Sequence, residues 1–437
     1  MTLHLQSPGP STETKPVRPA SRRAALATRT WLVAANLAAV TFFLLSWSKH
    51  GVAFGPYRID LDVYRIGSRV WLHGGDLYGA LPATSAGVGL PFSYPPIAAV
   101  VLSPLSLLPM AAASTVLTLI SIGLAAAVLR VFLRSAAGPR ARSWEAVAWL
   151  LPVALFLEPV RSTLSFGQVN LVLMALVSAD CLAVAPRWPR GALVGVAAAI
   201  KLTPGAFVLY FLIRRDYRAA LTAAASFAVS TAAGFLLAWG DSVRYWTSVV
   251  FQTGRPGSPD YAANQSIQGV LARAGVDLHS PAGIAAWLAL STIVVALAWR
   301  GMRRTAAGPA GPRAADAWAL SLNALAALLV SPISWSHHWV WGETAILALA
   351  LTSWQERSRG GLALALWGLA CFAAAPQWWF PSGGNRELHW AGWEQAVGSS
   401  YVAWALAVLV ASACRRRRAA SHQLSSWSQT CQDSMVR

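Results

Sequence analysis

Residues 111–133 read AAASTVLTLISIGLAAAVLRVFL, with Arg130 as their one charged side chain. A helix needs roughly 20 mostly apolar residues to cross a bilayer, so this stretch reads as a full membrane span. Other apolar runs fall at about 30–47, 144–157, 168–186, 218–239, 284–299, 316–333, 340–355, 361–380 and 396–413. The run before it, from residue 92, is interrupted by Pro95, Pro96, Pro104 and Pro109 and reads as a short re-entrant or interfacial helix. The run 191–213 has basic ends (Arg190; Arg214 and Arg215) and an interrupted middle at Lys201 and Pro204, which suits two short helices returning to the same side. Irregular backbone at membrane depth is tolerated only where protein or water covers it. The expected fold class is an all-α polytopic membrane protein with about 12 transmembrane segments, broken and re-entrant helices included.

Composition agrees. Of 437 residues 56% are hydrophobic and 12% charged, against roughly 25% charged in soluble domains. The net charge of +18 would suggest nucleic acid in a soluble protein. Here no nucleic-acid partner is expected, because the cations sit in short connections between apolar runs. With the N-terminus inside, 25 of the 35 Lys and Arg fall in the inner segments 1–29, 130–142, 187–190, 214–218, 300–313, 357–359 and 415–437, which satisfies the positive-inside rule. Asp60, Asp62, Asp76, Glu158, Asp241, Asp260, Asp277, Glu387 and Glu394 then fall outside. The expected organisation is a disordered cytoplasmic tail over 1–29, one membrane domain over 30–414 whose first outer loop spans 49–93, and a basic cytoplasmic tail over 415–437. The location is the plasma membrane, with the acids extracytoplasmic. Cys181, Cys371, Cys414 and Cys431 show neither a disulfide framework nor metal-type spacing.

Asp60-Leu61-Asp62-Val63-Tyr64 follows the first span. Val63, Ile66, Val70 and Trp71 recur at helical spacing opposite Arg65 and Arg69, predicting an amphipathic helix along the outer surface. Both aspartates would sit at its N-terminal end, where the helix dipole favours the ionised form. Helix capping explains one acid; the second suggests a general base. Ser334-Trp335-Ser336-His337-His338-Trp339 lies at the outer end of a span. Adjacent histidines point to different faces, so phosphate or sugar hydrogen bonding suits them better than a shared metal, with Trp335 stacking on a sugar face. Lys201 is a lone ammonium at membrane depth, where insertion costs roughly 2.5–3.5 kcal/mol. A lipid phosphate would compensate it, as would a carboxylate such as Glu158 or Glu343. Gln168 and Asn170 begin an outer helix near Glu158 and Arg161, and Asn264-Gln265 lies in a polar outer loop suited to sugar contact.

With these motifs in place, the chain resembles the GT-C superfamily of polyprenyl-phosphate-sugar-dependent glycosyltransferases. More specifically, it resembles the actinobacterial α-1,2-mannosyltransferases of glycosyltransferase family 87, which elongate phosphatidylinositol mannosides and lipomannan. The resemblance rests on Asp60-Leu61-Asp62-Val63-Tyr64, Gly74-Gly75-Asp76-Leu77-Tyr78, Phe92-Ser93-Tyr94-Pro95-Pro96, Gly167-Gln168-Val169-Asn170, Lys201-Leu202-Thr203-Pro204, Asn264-Gln265-Ser266 and the His337-His338 segment. It implies a GT-C fold with the active site in extracytoplasmic loops, Asp60 as catalytic base, and one of His337 and His338 acting near the donor phosphate. Asp62, Tyr64, Tyr94, Gln168, Asn170, Lys201, Asn264, Gln265 and Trp335 are the expected substrate-binding residues. The implied partners are a polyprenyl-phosphate-mannose donor, a glycolipid or lipoglycan acceptor, and membrane lipids; no cofactor or obligatory metal is expected. The competing readings are a transporter or flippase and a GT-C enzyme using another lipid-linked sugar.

Overall fold

A computed structural model describes residues 22–45, 57–136, 144–252, 254–255, 257–305 and 312–414, with side chains from residue 27 onward. Most of the 1–29 tail, all of the 415–437 tail and the start of the first outer loop, through residue 56, lie outside the described residues.

The described chain is helical throughout, its only β-type pairing being an isolated bridge between Asn264 and Trp335. In chain order the helices are α1 (Arg22–Leu45), α2 (Ile59–Leu72), α3 (Pro96–Ser106), α4 (Met110–Ala136), α5 (Trp144–Phe156), α6 (Glu158–Phe166), α7 (Asn170–Leu182) and α8 (Ala192–Ile200). A 3-10 turn (Thr203–Phe207) leads to α9 (Val208–Ile213), α10 (Tyr217–Leu237), α11 (Trp239–Thr247), α12 (Ile267–Arg273), α13 (Pro281–Thr305) and α14 (Pro312–Val330). A second 3-10 turn (Ser336–Val340) precedes α15 (Trp341–Gln355), α16 (Arg359–Ala374), α17 (Gly392–Gly398) and α18 (Ser400–Cys414).

Six of the described helices are long and apolar enough to cross a membrane, or up to eight if the bent pairs α5–α6 (73°) and α17–α18 (66°) each count as one span. The chain is a multi-pass membrane protein, although fewer helices reach spanning length than the twelve or so expected. Helices α5 and α7 have 13 residues each. At about 1.5 Å per residue such a helix reaches only about 20 Å into a hydrocarbon core roughly 30 Å thick. Helix α1 begins at Arg22, and its candidate membrane span covers Ala27–Leu45.

Helix α14 forms the centre of the bundle, with Leu320, Leu322, Leu325 and Leu329 fully buried between α13, α15, α4 and α18. Small residues draw other helices together: a Cβ on Gly195 of α8 would stand 2.4 Å from the Ala223 carbonyl of α10. The run 191–213 is broken as expected, α8 ending at Ile200 and the 3-10 turn starting at Thr203. Buried Asp180 of α7 accepts the Gly191 and Val194 amides at the start of α8 (2.9 Å each), satisfying donors that have no intrahelical partner.

Helix α2 differs from the expected surface helix. Arg65 and Asp62 are buried, whereas Arg69 on the same face stays exposed. Arg65 donates to the Leu105 and Leu108 carbonyls (3.1 and 2.6 Å), and Arg69 to that of Ser106 (3.1 Å). These carbonyls lie at and just beyond the C-terminus of α3, where acceptors are unpaired and the dipole is negative. The two arginines therefore fasten α2 to α3.

Candidate active site

Helix α2 carries Asp60 in its first turn, and α6 fixes what stands beside it. Helix α6 ends at Gly167, in the left-handed conformation (φ 70°), and a Cβ there would lie 2.7 Å from Arg58 Cβ and 2.9 Å from Leu61 Cβ. Glycine thus permits both the turn and the close approach of α6 to α2. The next residue, Gln168, donates from Nε2 to Oδ2 of Asp60 (2.7 Å). Its Oε1 accepts the hydroxyls of Tyr64 (2.6 Å) and Tyr94 (3.1 Å), which lie 3.0 Å from each other.

At the break of the α8–α9 run, Lys201 donates to Asn170 Oδ1 (3.0 Å) and meets His338 Nε2 at 3.1 Å. Its ammonium lies 5.3 Å from the centre of the Tyr94 ring. Neither Glu158 nor Glu343 compensates it. Glu158 instead accepts Ser336 Oγ (2.8 Å), Trp378 Nε1 (3.2 Å) and Tyr401 OH (3.0 Å), anchoring the turn that carries the histidines. The same turn is held through the His337 carbonyl, which accepts from Thr163 (2.7 Å) and Asn170 Nδ2 (2.8 Å). The two imidazoles meet edge to face with centres 4.7 Å apart, and among the described residues the buried His337 Nε2 has no hydrogen-bond partner.

A cavity of about 340 Å³ is lined by Asp60, Tyr64, Tyr94, Gln168, Lys201, Trp335, His337 and His338, among others, within the roughly 300–1,000 Å³ range of small-molecule sites. Eight of the twelve expected site residues therefore line one cavity, and Asn170 stands behind them, bonded to Lys201. The other three are elsewhere. Asp62 faces away from the cavity, 4% exposed, because residues two apart on a helix project about 200° apart. It accepts the Ser85 amide (2.7 Å) and Tyr57 hydroxyl (3.3 Å), holding the following loop in place. Asn264 accepts the Ser334 amide at Oδ1 (2.9 Å), and the Gln265 amide donates to the Ser334 carbonyl (2.9 Å). Both residues thus brace the histidine segment from behind.

Arg255 also lines the cavity, donating to the Tyr78 carbonyl (2.9 Å) and the Phe92 carbonyl (3.3 Å). Sequence reasoning passed over it; its one signal was being an arginine in an outer loop that carries few cations. Among the described residues no cluster of three or more His, Cys, Asp or Glu side chains could hold a metal ion.

Burial pushes the Asp60 carboxyl up to about 6, against the Gln168 hydrogen bond and the Lys201 charge, which both favour ionisation. Burial and then the Lys201 charge push His337 down to about 3. The same two causes, joined by His337, hold His338 well below the ordinary imidazole range. Both histidines are therefore neutral near pH 7. His338 Nε2, facing an ammonium donor, is the acceptor, which puts its proton on Nδ1.

The glycosyltransferase family 87 profile matches residues 92–332. A Mycobacterium tuberculosis protein is 42% identical over 87% of this chain and 90% of its own length; it is named polyprenol-phosphate-mannose-dependent alpha-(1-2)-phosphatidylinositol mannoside mannosyltransferase. A second relative from that species, named for the corresponding pentamannoside, is 33% identical over 82% of this chain and 79% of its own. Among solved structures, ArnT from Cupriavidus metallidurans bound to undecaprenyl phosphate aligns with a TM-score of 0.41 and 17% identity, covering 88% of this chain and 77% of that one. With a family profile that spans more than half its length and relatives aligned over most of it, the chain belongs to glycosyltransferase family 87.

Proposed function

We propose that this protein transfers mannose from a polyprenyl-monophosphate-mannose donor to a hydroxyl of a phosphatidylinositol-mannoside-type glycolipid, forming an α-1,2 linkage at the extracytoplasmic face. The observation that carries this reading is the pairing, in one cavity, of a carboxylate (Asp60) with an ammonium–imidazole pair (Lys201 and His338). The relatives reported above are named as transferases rather than transporters.

In this mechanism Asp60 takes the proton of the acceptor hydroxyl as that oxygen bonds to the anomeric carbon. The bond from that carbon to the phosphate oxygen breaks, and its electron pair leaves with the lipid phosphate. Attack opposite a β-linked phosphate inverts the centre to α. Lys201 supplies the positive charge that stabilises the departing phosphate, and preorganised charge of this kind is the largest electrostatic contribution to such a step. The histidines, being neutral, contribute hydrogen bonds and shape rather than charge. An apolar groove of about 200 Å³, lined by Val194, Ala198, Val208 and Phe227 among others, shares Leu202 with the lining of the cavity; it suits the prenyl chain of the donor. The excess of Lys and Arg in the alternate loops supports the extracytoplasmic orientation.

The test is transfer of labelled mannose from polyprenyl-phosphate mannose to a phosphatidylinositol mannoside by the purified protein, with linkage analysis of the product. Asp60→Ala is expected to lower turnover by about 100- to 10,000-fold while donor binding persists. Normal turnover by this variant would remove the base assignment.

A further inference from the structure

We propose that Gln168 is a positioning residue for the base: its carboxamide occupies Oδ2 of Asp60, leaving Oδ1 as the oxygen that receives the acceptor proton. This inference rests on the reading of Asp60 as the general base, and it moves Gln168 from substrate contact to organisation of the carboxylate.

The hydrogen bonds at Gln168 fix its orientation. Two phenol hydroxyls converge on Oε1, and a carboxylate oxygen receives Nε2. Turning the amide over would set its oxygen against the carboxylate and its NH2 against two donors. A phenol oxygen can accept, but an ionised carboxylate has no proton to give. One orientation therefore satisfies both ends, and both amide groups are used within the protein, with Gln168 only 7% exposed. Little of its hydrogen-bonding capacity is left for a substrate. Among the described residues Oδ1 of Asp60 has no hydrogen-bond partner, and it is not among the buried unpartnered atoms, so it is the carboxylate oxygen open to the cavity.

The Gly167 turn makes the arrangement rigid, since the backbone that presents Gln168 is locked against Leu61 of α2 and Arg58 just before it. The charged and titratable groups around Asp60 are Tyr64 on its own helix, Tyr94 on the segment before α3, Lys201 with His337 and His338 across the cavity, Tyr245 and Arg255 elsewhere in its lining, and Glu158 and Arg161 on α6, which packs against α2. Helix α3 carries none. Gln168 is the group in direct hydrogen-bond contact with the carboxylate, and misplacement of a reacting group by about 1 Å can cost about 100-fold in rate.

The proton step balances without another participant. The acceptor O–H bond breaks toward Oδ1, the acceptor oxygen keeps the electron pair and bonds to the anomeric carbon, and the lipid phosphate leaves with the pair of the broken C–O bond. Gln168 stays neutral throughout and holds Oδ2 before and after transfer.

The experiment is the pH profile of kcat/KM for mannose transfer from labelled polyprenyl-phosphate mannose, measured on full-length wild-type protein, Gln168→Leu, and the double variant Tyr64→Phe/Tyr94→Phe. Gln168→Leu removes the donor to Oδ2. It is expected to move the acid limb of the profile upward by about one pH unit and to lower the plateau by at least about tenfold, with donor KM within about twofold of wild type. The double variant frees the far end of the amide and should shift the limb in the same direction by less. It supplies the reading if Gln168→Leu fails to fold. An unmoved acid limb in whichever of these variants folds overturns the inference, as does a large rise in donor KM with kcat unchanged, which would make Gln168 a binding residue. Asp60→Asn separates the two ideas: if it transfers mannose normally the base reading fails, whereas an inactive Asp60→Asn beside an unmoved limb in Gln168→Leu removes only the role of Gln168.

Discussion

A carboxylate acts as a base only when ionised, and burial opposes ionisation, so Asp60 combines a functional gain with a structural cost. Its folded value of about 6 lies above the ordinary aspartate value, so the ionised form is disfavoured in the folded state and costs stability as pH rises through 6. Below that value the base is protonated and idle. We expect kcat/KM to fall about tenfold per pH unit below roughly 6 and to level off between there and about pH 7. The histidines are already neutral there and add no second limb in the range from 5 to 8. A flat profile down to pH 5 would show that a group other than Asp60 takes the proton. Asp60→Asn should inactivate the protein and yet leave its Tm unchanged or raised, because the cost of the buried charge is removed. Lys201 calls for the complementary experiment. Lys201→Met keeps the length of the side chain and removes the charge, so folding should survive while donor kcat/KM drops by at least about tenfold, the loss falling on the phosphate end of the substrate. Equal activity in Lys201→Met membranes would place the phosphate elsewhere in the cavity, with Arg255 the other cation on its wall.

At the scale of elements, the site depends on how closely α6 approaches α2, and that approach depends on Gly167. Gly167→Ala adds a Cβ within 2.9 Å of the Leu61 side chain of α2 and of Arg58 just before it, at a backbone angle that L residues rarely adopt. We expect a loss of about 1–3 kcal/mol, read as a lower Tm, together with reduced turnover as Gln168 is displaced from Asp60; unchanged Tm and activity would show that the contact is slack. Much of this arrangement was legible in the chain. The proline positions announced the short α3, the lone Lys201 marked the break in the run 191–213, and the spacing of apolar residues gave α2 its helix. Asp62 was harder to read, because two acids at i and i+2 suggest a pair until the helix turns them apart. Its loop contacts at Ser85 and Tyr57 leave no mark in sequence. Asn264 and Gln265 likewise read as sugar ligands but brace the histidine turn, since their partners are backbone groups some seventy residues away. The network around Gln168 draws on α2, the segment before α3 and the start of α7, and no local pattern encodes so distant a meeting.

At the scale of the molecule, the position of the cavity relative to the bilayer decides the chemistry, since donor and acceptor must both be reachable from the lipid. Short helices and turns gather around Asp60, Lys201 and His338. Irregular backbone of this kind is tolerated at membrane depth only where protein or a cavity covers it. The long apolar helices α1, α10 and α13 bury under a quarter of their spanning windows and so present most of their surface to lipid. In the proposed orientation the loop between α12 and α13 lies outside and the end of α18 inside. His279, in that loop, is exposed, and so is Cys414 at the end of α18. Cys181 and Cys371 are buried and should not react. In a Cys431→Ser background, a membrane-impermeant maleimide applied to intact cells should therefore label His279→Cys and spare Cys414, which should become reactive only once the membrane is opened. Labelling of Cys414 in intact cells with protection of residue 279 would invert the topology. It would also turn Asp60 toward a compartment supplied with nucleotide sugars, removing the reason for a lipid-borne donor.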